Sequence, residues 1–374
     1  MSRPRTNTGE EAVEAWLAPA IEQAVARVST IAEDVADFPH ITKSQVWETT
    51  VDGVWTGGFW AGLLWLAYER TGREHLRSRA VHFTDRLLPA SAAARNHDLG
   101  FMFYPSAIKG WTLTSRAKYR DAAMAAAHSL ARQFNNRAGF IPGWGFFGTS
   151  DWSGSALIDT LMNLPLLVWA AASVGDDRMM DVVRRHATTA LKHQVRTDGS
   201  VVHMFRFDPR TGAPLGADTY QGLSPESVWA RGQAWALTGL GILANMTGGR
   251  NYLRAGERVG AYFVSRLPPD GIPPWDFMAE GSDQPKDSSA AAIASYGFQK
   301  LFAATGDRRH LHTAVTLLRA LAATCANSSD RGGGLLLHAT ADLPHGLGVD
   351  ESTVYGDYYY LKSLMRLKAM CSNE

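Results

Sequence analysis

Cysteine is scarce in this chain. Cys325 and Cys371 are the only two, too few for the disulfide framework of a secreted scaffold. Long apolar runs are missing as well, and none approaches the roughly 20 residues that cross a membrane. The opening Met1-Ser-Arg-Pro-Arg-Thr-Asn-Thr-Gly-Glu10 lacks the apolar centre of a signal peptide. Charge of one sign is not in excess: the formal net charge is +1, which supplies no basic face for nucleic acid. No Cys or His cluster has zinc-ligand spacing, and no glycine-rich loop would cradle a phosphate. These absences predict a cytoplasmic protein, a monomer or weak homo-oligomer, with no cofactor, no metal, and neither nucleic acid nor membrane as a partner. Alternating strand-like runs long enough to compete with helices are absent too.

What is present is helical periodicity in pairs. An apolar helix ends in a short turn and a charged, amphipathic helix follows, with turns at Thr71-Gly-Arg-Glu74, Leu113-Thr-Ser-Arg116, Val174-Gly-Asp-Asp177, Thr247-Gly-Gly-Arg250 and Thr305-Gly-Asp-Arg308. The apolar helices begin near Gly57, Asp98, Ser155, Trp229, Ser288 and Tyr355, and the amphipathic ones near Glu10, Glu74, Ala117, Arg178, Tyr252 and Arg309. A helix apolar all round is interior, whereas one with a single apolar stripe sits outside it. Six such pairs predict an all-α (α/α)6 barrel of inner and outer helix rings, one domain spanning residues 1–374. An open solenoid would need a polar concave face and a distinct cap.

The connections are asymmetric. Inner-to-outer turns take about four residues, while the outer-to-inner connectors are far longer than ordinary loops. The long connectors all lead to the N-terminal ends of the inner helices, so they crowd one mouth. His97, Asp98, Trp144, Asp159, His203, Gln221, Trp229 and Arg231 fall in these connectors or in first turns and converge there.

Two of these residues are acids. Asp159 lies in Leu157-Ile-Asp-Thr-Leu-Met162, read as the start of an inner helix capped by Ser153 or Ser155. Asp98 opens the preceding inner helix and also suits a cap. Paired carboxylates are the usual means of acid–base work on sugars. Arg231 near the start of an apolar helix needs a carboxylate partner, from the protein or from a ligand. Asp287, in Asp-Ser-Ser-Ala290, reads as a plain N-cap. His186, His193, His310 and His312 fall on outer helices and read as surface groups. Of the 12 tryptophans, several stand beside glycine or aspartate in connectors, where flat rings stack on sugars better than they fill a core.

In order along the chain, Trp55-Thr-Gly-Gly-Phe-Trp-Ala-Gly62, His97-Asp-Leu-Gly-Phe101, Leu157-Ile-Asp-Thr-Leu-Met-Asn163, Thr219-Tyr-Gln-Gly222, Trp229-Ala-Arg-Gly-Gln-Ala-Trp235, and Gly348-Val-Asp-Glu351 with Tyr355-Gly-Asp-Tyr-Tyr359 together resemble the unsaturated glucuronyl hydrolases, glycoside hydrolase family 88. The resemblance implies the same barrel. It also implies removal of the Δ4,5-unsaturated uronic acid from the non-reducing end of lyase-generated oligosaccharides, by hydration of the C4=C5 double bond. Asp159 matches the family's general acid/base, and Asp98 the second acid. His97, Trp144, His203, Gln221, Arg231 and Trp235 would bind the sugar, with Trp55 or Trp60 stacking and Tyr355 beside them. The apolar neighbours of Asp159 predict a raised pKa there and a charged Asp98. Members that accept sulfated disaccharides carry hydroxyl residues and a lysine before the Gly-Val-Asp motif; this chain has Asp342-Leu-Pro-His-Gly-Leu347. The alternatives are an unsaturated rhamnogalacturonyl hydrolase, a cofactor-free epimerase using His97 and His203 as bases, and a binding protein that needs no Asp159.

Overall fold

A computed structural model describes residues 8–93, 95–143, 153–329 and 332–371. Its helices are α1 (Thr8–Asp34), α2 (Gly57–Thr71), α3 (Glu74–Leu87), α4 (Leu99–Phe103), α5 (Lys109–Thr114), α6 (Ala117–Arg132), α7 (Leu164–Val174), α8 (Asp177–His193), α9 (Ala230–Thr247), α10 (Arg250–Ser265), α11 (Ser288–Thr305), α12 (Arg308–Thr324) and α13 (Val354–Cys371). A wide π-type turn over Tyr104–Ile108, containing Pro105, joins α4 to α5 into one bent inner element. Proline cannot donate to the helical ladder, and the turn opens where it stands.

The inner ring runs α2, α4–α5, α7, α9, α11 and α13, and α13 packs back against α2. Each inner element packs on an outer partner: α3, α6, α8, α10, α12 and, for α13, α1. The closed (α/α)6 barrel expected from the repeat is what the chain forms. The inner helices are apolar because both faces are covered; in α9 every residue from Ala230 to Ala244 is buried. At the centre, Phe101 and Trp235 meet at 4.9 Å, Phe59 and Tyr358 at 5.4 Å, and Trp235 and Tyr359 at 5.5 Å. Such ring pairs fill volume and gain edge-on attraction. Gly58 and Gly100 let the backbones close up there: a Cβ on Gly58 would lie 2.3 Å from the carbonyl oxygens of Phe101 and Met102, and one on Gly100 2.4 Å from Asn163 Cα.

Each inner-to-outer crossing takes two residues, the first left-handed: Gly72, Ser115, Gly175, Gly248 and Gly306, with φ of 66°, 55°, 69°, 69° and 69°. Each closes its helix by donating its N–H to a carbonyl four residues back, a left-handed C-cap. The long connectors all lie at the other end and hold three small antiparallel sheets. β1 (Phe38–Lys43) pairs with β2 (Val46–Thr50), β4 (Met204–Phe207) lies between β3 (Ser155–Leu157) and β5 (Pro214–Asp218), and β6 (Ala339–Asp342) pairs with β7 (Leu347–Glu351). Strands of three to six residues carry too little alternation to stand out in sequence.

β3 corrects one expectation. Ser155 does not cap a helix; Ser155–Leu157 pairs with Met204–Arg206, Asp159 stands on a 3-10 turn over Ile158–Met162, and α7 starts only at Leu164 with Pro165 in its first turn. A further correction concerns His186, which is buried on the inward stripe of α8, although His193, His310 and His312 are partly or fully exposed. The ring's seam lies where Thr42 N–H donates to Ser352 O at 3.0 Å and Ile41 bridges Thr353. Among the described residues no helix is long and apolar enough to cross a membrane.

Candidate active site

A cavity in the mouth is lined by Trp55, His97, Asp98, Asp159, Gln221, Trp229, Arg231 and Trp235. Four connectors and the start of α9, far apart in sequence, bring these together. His97 Nε2 stands 3.4 Å from Asp98 Oδ1 and 3.6 Å from Asp159 Oδ1. Asp98 is reached by two asparagines: Asn96 Oδ1 accepts its backbone N–H at 2.8 Å, and Asn163 Nδ2 lies 3.4 Å from its Oδ1. Asn163 Oδ1 in turn accepts the N–H of Phe101 at 2.7 Å, tying the turn that carries Asp159 to the helix that follows Asp98. Asn163 was visible in the sequence only as the last residue of a motif.

The two acids are not equivalent: Asp98, expected to be a charged helix cap, is the more deeply buried of the pair. Asp98 makes no side-chain cap; its side chain is 6 % exposed against 15 % for Asp159. Burial pushes the Asp98 carboxyl up to about 7, helped by the Asp159 charge and opposed by His97. The flanking hydrophobic letters point to Asp159 as the buried acid, whereas Asp159 sits on a turn that opens to the cavity rather than inside a helix. Burial alone would lower the His97 imidazole; Asp98 and Asp159 outweigh it and hold it above its ordinary value. The trio therefore retains a proton near neutral pH. One ligand atom from each of the three lies within 4.8 Å of the others, the only such His/Cys/Asp/Glu group among the described residues. A divalent ion there would occupy the lone pairs that proton transfer uses, so the two roles exclude each other.

His203 lies against Trp229, ring centroids 4.5 Å apart. Its Nδ1 faces the backbone N–H of Tyr220 at 3.3 Å and of Gln221 at 3.4 Å, with Thr219 Oγ1 at 3.1 Å. An amide N–H only donates, so Nδ1 is the acceptor and Nε2 carries the hydrogen. Burial pushes this ring down to about 4, so it is a neutral donor.

Arg231 is fully buried. Its Nη1 donates to Asp287 Oδ2 at 2.8 Å and Thr340 O at 2.6 Å, and its Nη2 to Ala341 O. The guanidinium faces Trp229 at 4.5 Å and Tyr355 at 5.1 Å. The required carboxylate comes from the protein, and Asp287 is more than a cap: Oδ1 accepts the N–H of Ser289 and Ala290 while Oδ2 holds Arg231. Gln221 Nε2 donates to Ala341 O at 2.9 Å, so strand β6 is gripped by both residues.

Trp55 stacks on Tyr355 at 5.3 Å and 24° and lines both this cavity and an outer one formed with His40, Tyr220, Gln221, Asp342, Leu347 and Tyr355. Trp60, paired with Trp55 in the sequence expectation, instead points outward from α2 into the core against Phe83. Trp235 lines the cavity floor against Phe101. Trp144 lies outside the described residues. His40 escaped notice in the sequence because no pattern marks it; its Nδ1 meets Thr56 Oγ1 at 2.8 Å.

A double helical ring with a carboxylate pair, histidines and tryptophans at its mouth has the makings of a carbohydrate-active barrel. The comparisons give the family: residues 21–248 match Glycosyl Hydrolase Family 88, and the chain belongs to it. The unsaturated chondroitin disaccharide hydrolase of Streptococcus pyogenes serotype M1 is 36 % identical over 342 residues, covering 88 % of this chain and 85 % of that one. The solved unsaturated glucuronyl hydrolase of Bacillus sp. GL1 superposes with a TM-score of 0.91 at 33 % identity, covering 95 % of this chain and 98 % of the other. A mutant unsaturated glucuronyl hydrolase of Streptococcus agalactiae complexed with dGlcA-GalNAc6S superposes with a TM-score of 0.79 at 30 % identity, covering 94 % and 90 %. The protein is a glycoside hydrolase.

Proposed function

We propose that this enzyme removes the Δ4,5-unsaturated uronic acid from the non-reducing end of lyase-generated oligosaccharides, by adding water across C4=C5. The observation that carries the reading is the trio: a proton-holding His97–Asp98 pair lies behind Asp159, the most open of the three. Asp159 passes the proton held by the trio to C4, and positive charge develops at C5. Water adds at C5 while Asp159 takes back a proton. The resulting hemiketal opens and expels the remaining sugar. Asp98 and His97 supply the like and opposite charges that set the proton balance.

The binding roles follow from donor placement. His203 offers Nε2–H to the sugar. Three of the five N–H donors of Arg231 are held by Asp287, Thr340 and Ala341, which leaves two for an anionic ligand at a fixed angle. Trp55 and Trp229 offer ring faces. The outer cavity takes the departing residue; it carries Asp342 and, among its described lining, no Lys or Arg. Sulfated aglycones are disfavoured there. The epimerase alternative loses its second base, because His203 is protonated on the nitrogen not already engaged.

The test is loss of conjugated-alkene ultraviolet absorbance on unsaturated disaccharides from hyaluronan, chondroitin and gellan, with sulfated chondroitin disaccharides alongside. Turnover of the unsulfated set, faster than the sulfated, is the expected result; no absorbance loss on any of them defeats the reading. We place the enzyme in the cytoplasm as a single-domain monomer or weak homo-oligomer. The scarcity of cysteine, two residues in the whole chain, supports the compartment, and fractionation and light scattering test these points.

A further inference from the structure

The outer helix α8 reaches the site from behind. Its inward stripe, Met179, Val183, Ala187 and Ala190, includes one polar residue, His186, which is 1 % exposed. His186 Nδ1 accepts the backbone N–H of Ile141 at 3.0 Å, so the ring hydrogen sits on Nε2. That Nε2–H is enclosed with no acceptor among the described residues. Burial pushes the imidazole down to about 3, the His97 charge adds to this, and Asp159 opposes it; the ring stays neutral. Leucine would continue the stripe without stranding a donor. Buried orphan donors are rare enough to need a reason, and packing alone does not give one.

The reason lies in what hangs on Nδ1. Thr189, on the same face of α8, donates to Gly139 O at 2.8 Å, so two side chains hold the connector around Phe140. Two residues on, Gly143 N–H donates to Ser155 O at 2.9 Å. β3 then runs directly into Ile158, whose N–H bonds His203 O at 3.0 Å, and into Asp159. Gln194, just past the helix, donates to Ala156 O and His203 O at 3.2 and 3.3 Å. The segment presenting Asp159 is thus clamped to α8 from both sides.

We propose that His186 is a positioning residue for Asp159: through the Ile141 N–H it fixes residues 140–143 against β3, and so sets where the Asp159 carboxylate stands relative to His97 and Asp98. The proposal rests on the function given above. Displacing a reacting group by about 1 Å costs up to roughly a hundredfold in rate.

Three variants separate acceptor, ring and volume. In His186→Asn the amide oxygen takes the place of Nδ1; in His186→Gln it reaches toward Nε2 and leaves Ile141 unmatched; His186→Leu supplies neither. With unsaturated hyaluronan disaccharide as substrate, kcat should fall roughly ten- to a hundredfold in Gln and Leu, with KM little changed, while Asn recovers most of it. Equal losses in Asn and Gln, or parent kcat in all three, would overturn the proposal. If His186→Leu does not fold, the Asn–Gln comparison decides alone. The His97 ring titration, followed by NMR, gives a reading without substrate: it should move in Gln but not in Asn, and identical titrations reject the proposal. A parent with no turnover but with that NMR contrast would sink the functional reading and leave the positioning role of His186 standing.

Discussion

At the base of the barrel, five crossings repeat one device, two residues with a left-handed cap; at the mouth no two connectors are alike. The two ends also treat charge differently. Near the base, Lys362 donates to Tyr358 Oη at 2.8 Å and sits 4.7 Å from the Tyr296 ring centre; burial, with Lys300, Lys109 and Arg366 nearby, pushes its amine well below the ordinary value. At the mouth, the buried Arg231 guanidinium is met by Asp287 and two carbonyls built around it. Burial disfavours a cation that lacks a carboxylate, and a buried cation that has one is held by a full set of hydrogen bonds.

The contrast can be broken most severely at Asp159. Asp159→Asn should fold with the parent's unfolding midpoint, still bind the unsaturated sugar, and lose turnover by at least about 10²–10⁴-fold. A near-parent rate would move the acid elsewhere. Next is Asp287→Ala. A lost cap alone costs about 0.5–2 kcal/mol, whereas an abandoned buried partner costs roughly 3–5 kcal/mol. Urea unfolding should give the larger figure; the smaller would mean Arg231 is not held by this pair.

A subtler effect is expected from Asp98→Asn. In the parent, activity should decline as pH rises through about 7, where Asp98 gives up its proton. Removing that carboxylate also removes the charge that holds His97 up, so the alkaline limb of the kcat/KM profile should move to lower pH; an unmoved limb would uncouple the trio. The smallest effect is expected at the base. Lys362→Met should match or exceed the parent's stability at pH 7, within roughly 1.5 kcal/mol, at unchanged kcat. The folded pKa of Lys362 lies below its unfolded value, so the parent gains stability as pH rises toward the ordinary lysine range. The variant should lack that gain in thermal unfolding between pH 7 and 10, and a kcat loss would tie the base to the site.

The same two ends divide what was legible in the sequence. The helix pairs were, because each turn is marked by Gly or Ser followed by a charged start, and because interior and exterior helices differ in period. The convergence of Asp98, Asp159, His203, Gln221 and Arg231 was legible through connector length. The strands were not, being too short. Leu157, Leu161 and Leu164 fit one helix face, yet the chain spends them on a strand, a 3-10 turn and a helix start; Pro165, at home in a helix's first turn, was the overlooked marker. His186 shares the spacing of Met179, Val183 and Ala190 and belonged to the buried face on that ground. The Arg231–Asp287 pair, 56 positions apart, left no trace in either local stretch.

The seam between β1 and β7 has a consequence for how the enzyme comes into being. Trp55 finds its stacking partner in Tyr355, and Thr42 closes on Ser352, so the mouth's wall joins residues about three hundred positions apart in order of synthesis. A growing chain makes both acids, His203 and Arg231 while that wall is still missing. Helical hairpins fold locally as they emerge, but the cleft is finished only by the last one. A closed mouth therefore reports a fully synthesised barrel, and a chain stopped short of α13 would carry both acids, His203 and Arg231 in a pocket open on one side.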